Sequence, residues 1–296
     1  MSSPRPDCGE NCLTFLGVAD HVDDLRNACF RSAQRGHLEC LRYAHENRCR
    51  WDETTCAFAS RHGRLECLRY AHEHGCPWDE DTCLMASVSG EVECLRYAHE
   101  EHCPWDVGTC NVASSNGDLE CLRYAHENGC PWNETTCGLA SENGHLQCLR
   151  YAHEHGCPWD EKTCELASEK GHFDCLRYAH ENGCPWDAQT CYDASRGGHL
   201  ECLRYALENG CPYLDFTEIP VHPNVVPYLY HRGILPRGNS MTRDHVRRHV
   251  SRAWLLVRYV TRLLGAYSRA CDRVYSPDGV GYREAETSFR LALQKS

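Results

Sequence analysis

Histidine and cysteine residues recur along this sequence at spacings that could bind a metal ion. Six stretches read H-x3-C-x6-C, for example His126, Cys130 and Cys137. Imidazole and thiolate groups are ligands that Zn²⁺ prefers in proteins. These stretches lack the C-x2-C pair that is typical of structural zinc sites, and a seventh copy has Leu207 in place of the histidine. A metal-binding protein, or a thiol redox buffer, is therefore the alternative function that the repeated Cys and His sets suggest.

Most of the 24 cysteines fall into three regular series. The series run from Cys29 to Cys191, from Cys40 to Cys202 and from Cys49 to Cys211, each with a spacing of 27 residues. A free cysteine behaves as a small hydrophobic residue and is among the most buried residue types. The opening MSSPRPDCGENC does not read as a secretory signal, so we expect an intracellular, cytoplasmic and reducing location. We therefore interpret these thiols as reduced packing groups.

The same period of 27 residues organises the elements that must position these side chains. One glycine series keeps this spacing without interruption: Gly36, Gly63, Gly90, Gly117, Gly144, Gly171 and Gly198. A fixed period of this length indicates a solenoid, in which each unit buries its apolar face against its neighbours.

One unit shows how the period translates into secondary structure. In TTCGLASENGHLQCLRYAHEHGCPWD (residues 135–160), Gly144 is placed to end a short first helix, because glycine adopts the left-handed conformation without strain. Leu146 and Leu149 begin the apolar stripe of a second helix. Asp160 is a suitable N-cap for the first helix of the next unit. Each unit therefore reads as helix, turn, helix and tight loop.

This unit resembles an ankyrin repeat, whose pattern is close to TPLHLAARNGHLEVVKLLLEAGADVN. Cys137 and Leu139 match the first two core leucines of the family, and the run that begins at Asn143 reproduces NGHL. Cys148 and Leu149 match its paired valines, and the resemblance covers about residues 10–235. Ankyrin repeats have about 33 residues, and the shortening falls where the family builds its β-hairpin finger. Short units of this kind are similar to those abundant in giant DNA viruses and their amoebal hosts, which would make host proteins the partners and the host cytoplasm the location.

The predicted fold class is all-α: a helix-turn-helix ankyrin-like solenoid that lacks β-hairpin fingers and carries a C-terminal amphipathic helix. The expected segments are a flexible N-terminus (1–9), a degenerate capping half-repeat (10–26), seven repeats (27–215), a degenerate C-terminal capping repeat (216–235) and a basic amphipathic helical region (236–296). Such a basic helix could bind a membrane, a nucleic acid or a partner. We favour a lid on the open end of the solenoid.

Charge and motifs exclude several function classes. The formal net charge is −11, and acidic residues predominate over the repeats while basic residues predominate after residue 230. An acidic body repels phosphates, which argues against a nucleic-acid groove. No P-loop, G-x-S-x-G, H-E-x-x-H or Rossmann glycine pattern occurs, and no apolar run is long enough to cross a membrane. We expect a monomeric, non-catalytic protein with no cofactor, no metal and no small-molecule substrate.

The copies differ mainly in their first helix, whereas the second helix, ECLRYAHENG, hardly changes. The resemblance implies that the first helices line the concave face that holds a partner protein. The partner-binding residues predicted on this basis are Ala57, Arg61, His62, Leu84, Asn111, Ser115, Asn116, Glu142, Asn143, Glu165, Glu169, Lys170 and Tyr192. The function predicted from the sequence is a protein–protein interaction scaffold.

Overall fold

A computed structural model describes residues 28–235 of the chain. The chain divides into two compact units at Asp215 and Phe216, and each is described by itself. The expected flexible N-terminus (1–9), N-terminal capping half-repeat (10–26) and basic C-terminal helix (236–296) lie outside the described residues.

Up to Asp215, the described residues form pairs of short helices that repeat with the sequence period. The first helices are α1 (Ala28–Arg35), α3 (Glu53–Arg61), α5 (Glu80–Val88), α7 (Val107–Asn116), α9 (Glu134–Glu142), α11 (Glu161–Lys170) and α13 (Ala188–Gly197). The second helices are α2 (Leu38–Glu46), α4 (Leu65–Glu73), α6 (Val92–Glu100), α8 (Leu119–Glu127), α10 (Leu146–Glu154), α12 (Phe173–Glu181) and α14 (Leu200–Glu208).

From α3 onward, each first helix begins at a capping side chain, which accepts a hydrogen bond from the backbone N–H two residues further on. These caps are Asp52, Asp79, Asp106, Asn133, Asp160 and Asp187. Each cap satisfies a backbone donor that the first turn leaves without an intrahelical partner. The N-cap predicted at Asp160 is confirmed.

The glycine that follows each first helix is needed for its backbone conformation and for its close packing. Gly117 has φ +78°, in the left-handed region, and ends α7. A Cβ atom placed on Gly117 would lie 2.5 Å from Nδ1 of His145, which belongs to the next unit. Any side chain at this position would therefore disturb both the turn and the contact between two units.

Small and medium apolar side chains fill the space between the layers. The cysteines of all three series, one leucine from each second helix and alanines from both helices are buried. The buried leucines are Leu41, Leu68, Leu95, Leu122, Leu149, Leu176 and Leu203. The burial of the cysteines in all three series confirms the interpretation of these residues as packing groups.

Neighbouring units stack in register. First helices pack against first helices of the adjacent units, and second helices pack against second helices. Residues 28–235 contain no strand, so the shortened units carry no hairpin finger. The all-α solenoid of two-helix units that the sequence predicts is therefore confirmed for this part of the chain.

Residues 216–235 belong to the second compact unit and contain one helix, α15 (Val226–His231). Phe216, Val225 and Leu229 are buried. The assignment of this segment as a capping repeat stays a prediction. None of the described helices combines the length and the apolar character needed to cross a bilayer.

Candidate functional site

The predicted partner-binding residues lie on, or directly after, six of the seven stacked first helices, where polar side chains form a continuous ladder across neighbouring units. Nδ2 of Asn116 donates to the carbonyl of Val88 at 2.9 Å, and Nδ2 of Asn143 donates to Oγ of Ser115 at 3.2 Å. Further along, Nζ of Lys170 lies 3.5 Å from Oε1 of Glu142. Each contact joins one unit to the next, so residues 27 or 28 positions apart in sequence are direct neighbours on this face.

The predicted residues differ in how far they reach solvent. Arg61, His62, Asn116, Asn143 and Lys170 are exposed. Leu84, Asn111, Ser115, Glu142, Glu165, Glu169 and Tyr192 are half-buried. Ala57 is only 5% exposed, because it lies in the packed contact between α3 and its neighbours, so its side chain offers almost no surface to a partner.

An apolar strip runs beside this ladder, and the sequence analysis did not assign it to the site. Phe58, Met85, Val112, Leu139 and Leu166 occupy the same position in five consecutive units, and all are half-buried rather than core. The match of Leu139 to a core leucine of the ankyrin pattern had placed this column in the interior. The signal that could have found the strip is the repetition of bulky apolar residues in a column that also contains Arg31 and Asp193. A column that tolerates these charges is not a uniform core position.

The chemistry of the face changes from one end to the other. At the first end, the guanidinium of Arg61 lies over the Phe58 ring, 5.9 Å from its centroid, and Phe58 contacts Phe30 edge to face at 4.7 Å. At the other end, Glu169 lies 3.5 Å from both Lys170 and Arg196.

Acidic groups at this second end lie close together. Burial, with a smaller contribution from the nearby carboxylate of Asp187, raises the pKa of Glu165 above its ordinary value. Burial also raises the pKa of Asp193, which accepts a hydrogen bond from Gln189 at 3.0 Å. The face therefore presents aromatic and basic groups at one end and partly buried acidic groups at the other.

The second helices carry a different, nearly invariant arrangement of rings. His99 stacks on Trp105 with ring centroids 4.0 Å apart, and its Nδ1 shares a hydrogen bond with the hydroxyl of Tyr124 at 3.1 Å. Tyr124 belongs to the second helix of the next unit, so each histidine joins two units. The same three-ring contact recurs from His45 to His180, with stacking distances of 3.7–4.0 Å and hydrogen bonds of 2.8–3.1 Å. We call this arrangement the ring lattice.

The ring lattice explains the histidine series and removes the zinc alternative for these residues. His126 is stacked on Trp132 and shares a hydrogen bond with Tyr151, while Sγ of Cys130 donates to the carbonyl of Asp106, so these groups of the H-x3-C-x6-C set are engaged with separate partners. Among residues 28–235, no three His, Cys, Asp or Glu side chains are placed to hold a metal ion together. The spacing therefore reflects the repeat period and packing, not a ligand set.

Burial within the ring lattice also changes the acidity of its histidines. The pKa values of His45, His99, His126 and His180 are lowered, mainly because burial disfavours the charged imidazolium. A neutral imidazole is therefore the stable form of these rings in the folded chain near neutral pH.

A shallow cleft of about 410 Å³ lies between α8 and α10 on the second-helix side. Its lining includes Arg123, Glu127, Arg150 and Tyr151, and none of the predicted partner-binding residues contributes to it. Residues of these types recur at the equivalent positions of other second helices, so the lining is not a singular set of groups.

No family model and no curated protein matches this chain. Its units resemble ankyrin repeats. The solved structures that it matches include the ankyrin repeat domain of human ASB11, with 14% sequence identity and a TM-score of 0.48. That similarity covers 65% of this chain and 96% of the ASB11 chain. The two-helix architecture described above is established by the helices and contacts of this chain itself.

Proposed function

We propose that this chain is a non-catalytic scaffold that binds a partner protein on the face formed by its first helices. The observation that carries the proposal is the strip of half-buried apolar side chains from Phe58 to Leu166, flanked by the polar ladder. Apolar side chains at the centre and polar side chains at the rim are the usual composition of a protein–protein interface.

Two further features support a partner on this side. First helices of adjacent units pack against each other more extensively than second helices do, which favours a stack that curves with the first helices on its inner side. The exposed residues of this face also differ from unit to unit, as in Arg61, Asn116 and Lys170. A surface that differs along its length can select one partner and fix its orientation.

The chemistry of the face favours a protein over a nucleic acid. The acidic end around Glu165 and Glu169 would repel a phosphate backbone, while the apolar strip offers buried area to side chains. If the chain is viral, the proposed partner is a host protein. In this proposal the protein acts as a monomer in the cytoplasm.

Site-specific photo-crosslinking tests the placement of the partner. A photoreactive phenylalanine analogue is introduced in separate variants at the first-helix positions of Arg61, Asn116 and Glu142. The matched controls carry it at exposed second-helix positions of the same units, namely Glu66, Glu120 and Gln147. We expect the first-helix variants to capture one common protein in a cell extract, identified by mass spectrometry, and the controls to give little of it. Equal capture from both helices, or capture from the second helices alone, would refute the proposal.

A further inference from the structure

The first end of the first-helix face carries arginines that no neighbouring carboxylate neutralises. Arg31 lies on α1, Arg61 ends α3 and Arg64 follows α3, and all are exposed. None of them forms an ion pair with a carboxylate of residues 28–235. Within α1 and α3 the only acidic residue is Glu53, at the first position of α3. This end of the face is therefore basic in a chain whose formal net charge is −11.

Two cations at the other end of the same face have carboxylate partners. Nζ of Lys170 lies 3.5 Å from Oε1 of Glu142 and 3.5 Å from Oε1 of Glu169. Nη2 of Arg196 lies 3.5 Å from Oε1 of Glu169 and 3.9 Å from Oδ1 of Asp193. These pairs leave little net positive charge for a ligand at this end. The first end is therefore the part of the face where an anionic group would be attracted.

Aromatic rings hold the side chain of Arg61. Its guanidinium lies over the Phe58 ring, 5.9 Å from the centroid, and Phe58 in turn contacts Phe30 edge to face. Nε2 of His62 shares a hydrogen bond with Nε2 of Gln34 at 3.4 Å, which joins α1 to the end of α3. A guanidinium that lies over a ring keeps its N–H donors at its edge, where they can pair with a carboxylate. Arg61 can therefore contact a ring and bind a carboxylate at the same time.

Arg64 is held by the turn of the preceding unit. Gly36 has φ +78°, and a Cβ atom placed on it would lie 2.7 Å from Cδ of Arg64. The stem of the arginine therefore rests directly on this turn. In the next two units the equivalent residues are Glu91 and Asp118, which pack on their own turns in the same way. A side chain that is already held in place loses less conformational entropy when it binds.

We propose that Arg31, Arg61 and Arg64, beside Phe30 and Phe58, form a subsite that binds carboxylate side chains of an acidic segment in the partner protein. We call this set of residues the arginine subsite. The proposal rests on the proposed function, because it specifies the chemistry of the partner on the same face. A guanidinium pairs with a carboxylate through two parallel charge-assisted hydrogen bonds, which orient a partner as well as attract it.

The apolar strip continues from the arginine subsite, since Phe58 belongs to both. Apolar side chains of the same segment would therefore lie on the strip, with the acidic end of the segment at α1 and α3. The strip extends from α3 to α11, which is four steps between first helices. At roughly 8–10 Å per step, an extended segment of about 10–12 residues would span it.

A nucleic acid fits this surface less well than an acidic segment does. Glu91 and Asp118 occupy the turns that follow Arg64, and Glu165 lies at the far end of the strip. A nucleic acid carries a negative charge on every nucleotide, so it would meet these carboxylates as soon as it extended beyond the arginines. A peptide can instead combine carboxylates at one end with apolar side chains along the rest of its length, which matches the basic end and the strip.

Peptide selection on the full-length native protein tests the proposal. The probe is a displayed library of random peptides of about 12 residues, the length that spans the strip in extended form. We expect the selected peptides to combine acidic with apolar residues and to be enriched in Asp and Glu relative to the unselected library. A copy of a selected peptide with Asn for Asp and Gln for Glu should bind at least roughly tenfold more weakly in fluorescence anisotropy. This comparison uses the parent protein alone, so it does not depend on the folding of a variant.

Two double variants with the same change of charge locate the subsite. Arg31→Glu/Arg61→Glu should weaken binding of the selected acidic peptide by at least roughly tenfold. Arg42→Glu/Arg69→Glu reverses the charge at exposed second-helix positions of the same units and should leave the affinity within roughly twofold. Circular dichroism of both variants confirms that the helices are retained.

Several outcomes would overturn the arginine subsite. These are selection of no peptide, selected peptides without acidic enrichment, an equal loss of affinity in both double variants, or displacement of the acidic peptide by a single-stranded oligonucleotide at equal concentration. The proposed function fails in a different way. If photo-crosslinking still places the partner on the first helices, the scaffold stands and only the subsite is refuted, whereas capture from the second helices alone refutes both.

Discussion

First and second helices alternate through the same solenoid, but their outward sides differ in how much the residues vary from unit to unit. On the second helices, the residues of the ring lattice repeat almost unchanged, and each histidine contacts a tyrosine of the next unit. On the first helices, the outward residues differ in size, charge and polarity from unit to unit, although they also contact their neighbours. One side of each unit is therefore constant where it joins its neighbours, whereas the other side varies from unit to unit.

The largest expected difference between the two helices concerns the free energy of unfolding. Leu122 on α8 is fully buried, whereas Leu84 on α5 is half-buried on the variable side. Leu122→Ala should lower the stability by about 2–5 kcal/mol, because it leaves a cavity between two layers. Leu84→Ala should cost less than about 1.5 kcal/mol, measured for both variants by urea unfolding. An equal or greater loss for Leu84→Ala would contradict the account that the buried layer, rather than the variable side, stabilises the stack.

A smaller effect is expected from single hydrogen bonds of the ring lattice. Tyr124→Phe removes the hydroxyl that bonds to His99 and should lower the free energy of unfolding by about 0.5–1.5 kcal/mol. The matched control is Tyr192→Phe, which removes a hydroxyl from the variable face and should change stability by less than about 0.5 kcal/mol. Thermal unfolding of the two variants beside the parent protein measures the difference, and similar losses would show that the lattice bonds have no special role.

The acidity of the lattice histidines predicts a pH dependence of stability. The folded-state pKa values of His45, His99, His126 and His180 lie below the ordinary value, so the unfolded chain binds more protons near pH 6 than the folded chain does. The stability that the neutral histidines contribute is therefore fully present above the ordinary histidine pKa of about 6.5. It decreases as the pH falls from that value through the lowered folded-state pKa values.

The double variant His99→Leu/His126→Leu should show a shallower loss of stability than the parent protein between about pH 7.5 and pH 5.5. Leucine is a suitable replacement because Leu207 occupies the same position naturally in the last repeat. Carboxyl groups with raised pKa values, such as Asp118 and Glu165, act in the opposite sense. The difference in pH dependence between the parent protein and the double variant isolates the contribution of the histidines. If the free energy of unfolding, measured with urea, changes equally with pH in both proteins, this account is contradicted.

The smallest expected effect on stability is that of outward residues of the variable face, of which Arg61 and Asn116 are exposed and Glu142 is half-buried. The triple variant Arg61→Ala/Asn116→Ala/Glu142→Ala should keep the helices and change the free energy of unfolding by less than about 1 kcal/mol, since surface substitutions contribute little individually. Urea unfolding checks this value. A large loss would show that the face stabilises the stack, and its variation would then need another explanation.

Much of this architecture can be predicted from the sequence because the period of 27 residues shows where the helices of each unit begin and end. The glycine after the first helix recurs in all seven units and the Asp or Asn cap before it recurs in six, from Asp52 to Asp187, so the positions of both helices follow from local rules. The burial of the three cysteine series follows from the match to apolar positions. Helical spacing alone does not fix the ion pairs: Arg123 lies 3.6 Å from Glu127, four residues on, whereas Arg42 pairs with Glu39, three residues back.

The ring lattice and the apolar strip were missed because each depends on contacts between units. His99 and Tyr124 are 25 residues apart, so no helical spacing within one copy connects them. The sequence does carry a signal: the histidine and tryptophan columns end together, with Leu207 and Tyr213 where the next histidine and tryptophan would stand. Columns that fail together are expected to be in contact. The apolar strip was missed because Leu139, taken alone, matches a core residue of the ankyrin pattern. Only the packing of neighbouring first helices shows that the side chains of the strip are half-buried.

The most direct test of the central claim is the affinity of the crosslinked partner for two matched triple variants. Arg61→Ala/Asn116→Ala/Glu142→Ala changes the first helices, and Glu66→Ala/Glu120→Ala/Gln147→Ala changes exposed second-helix positions of the same units. The dissociation constants are measured by titration calorimetry against the parent protein. The account predicts that the first triple weakens binding by roughly tenfold or more, about 1.4 kcal/mol, while the second leaves it within roughly twofold. Unchanged binding by the first triple, or a greater loss in the second, would contradict the placement of the partner on the first helices.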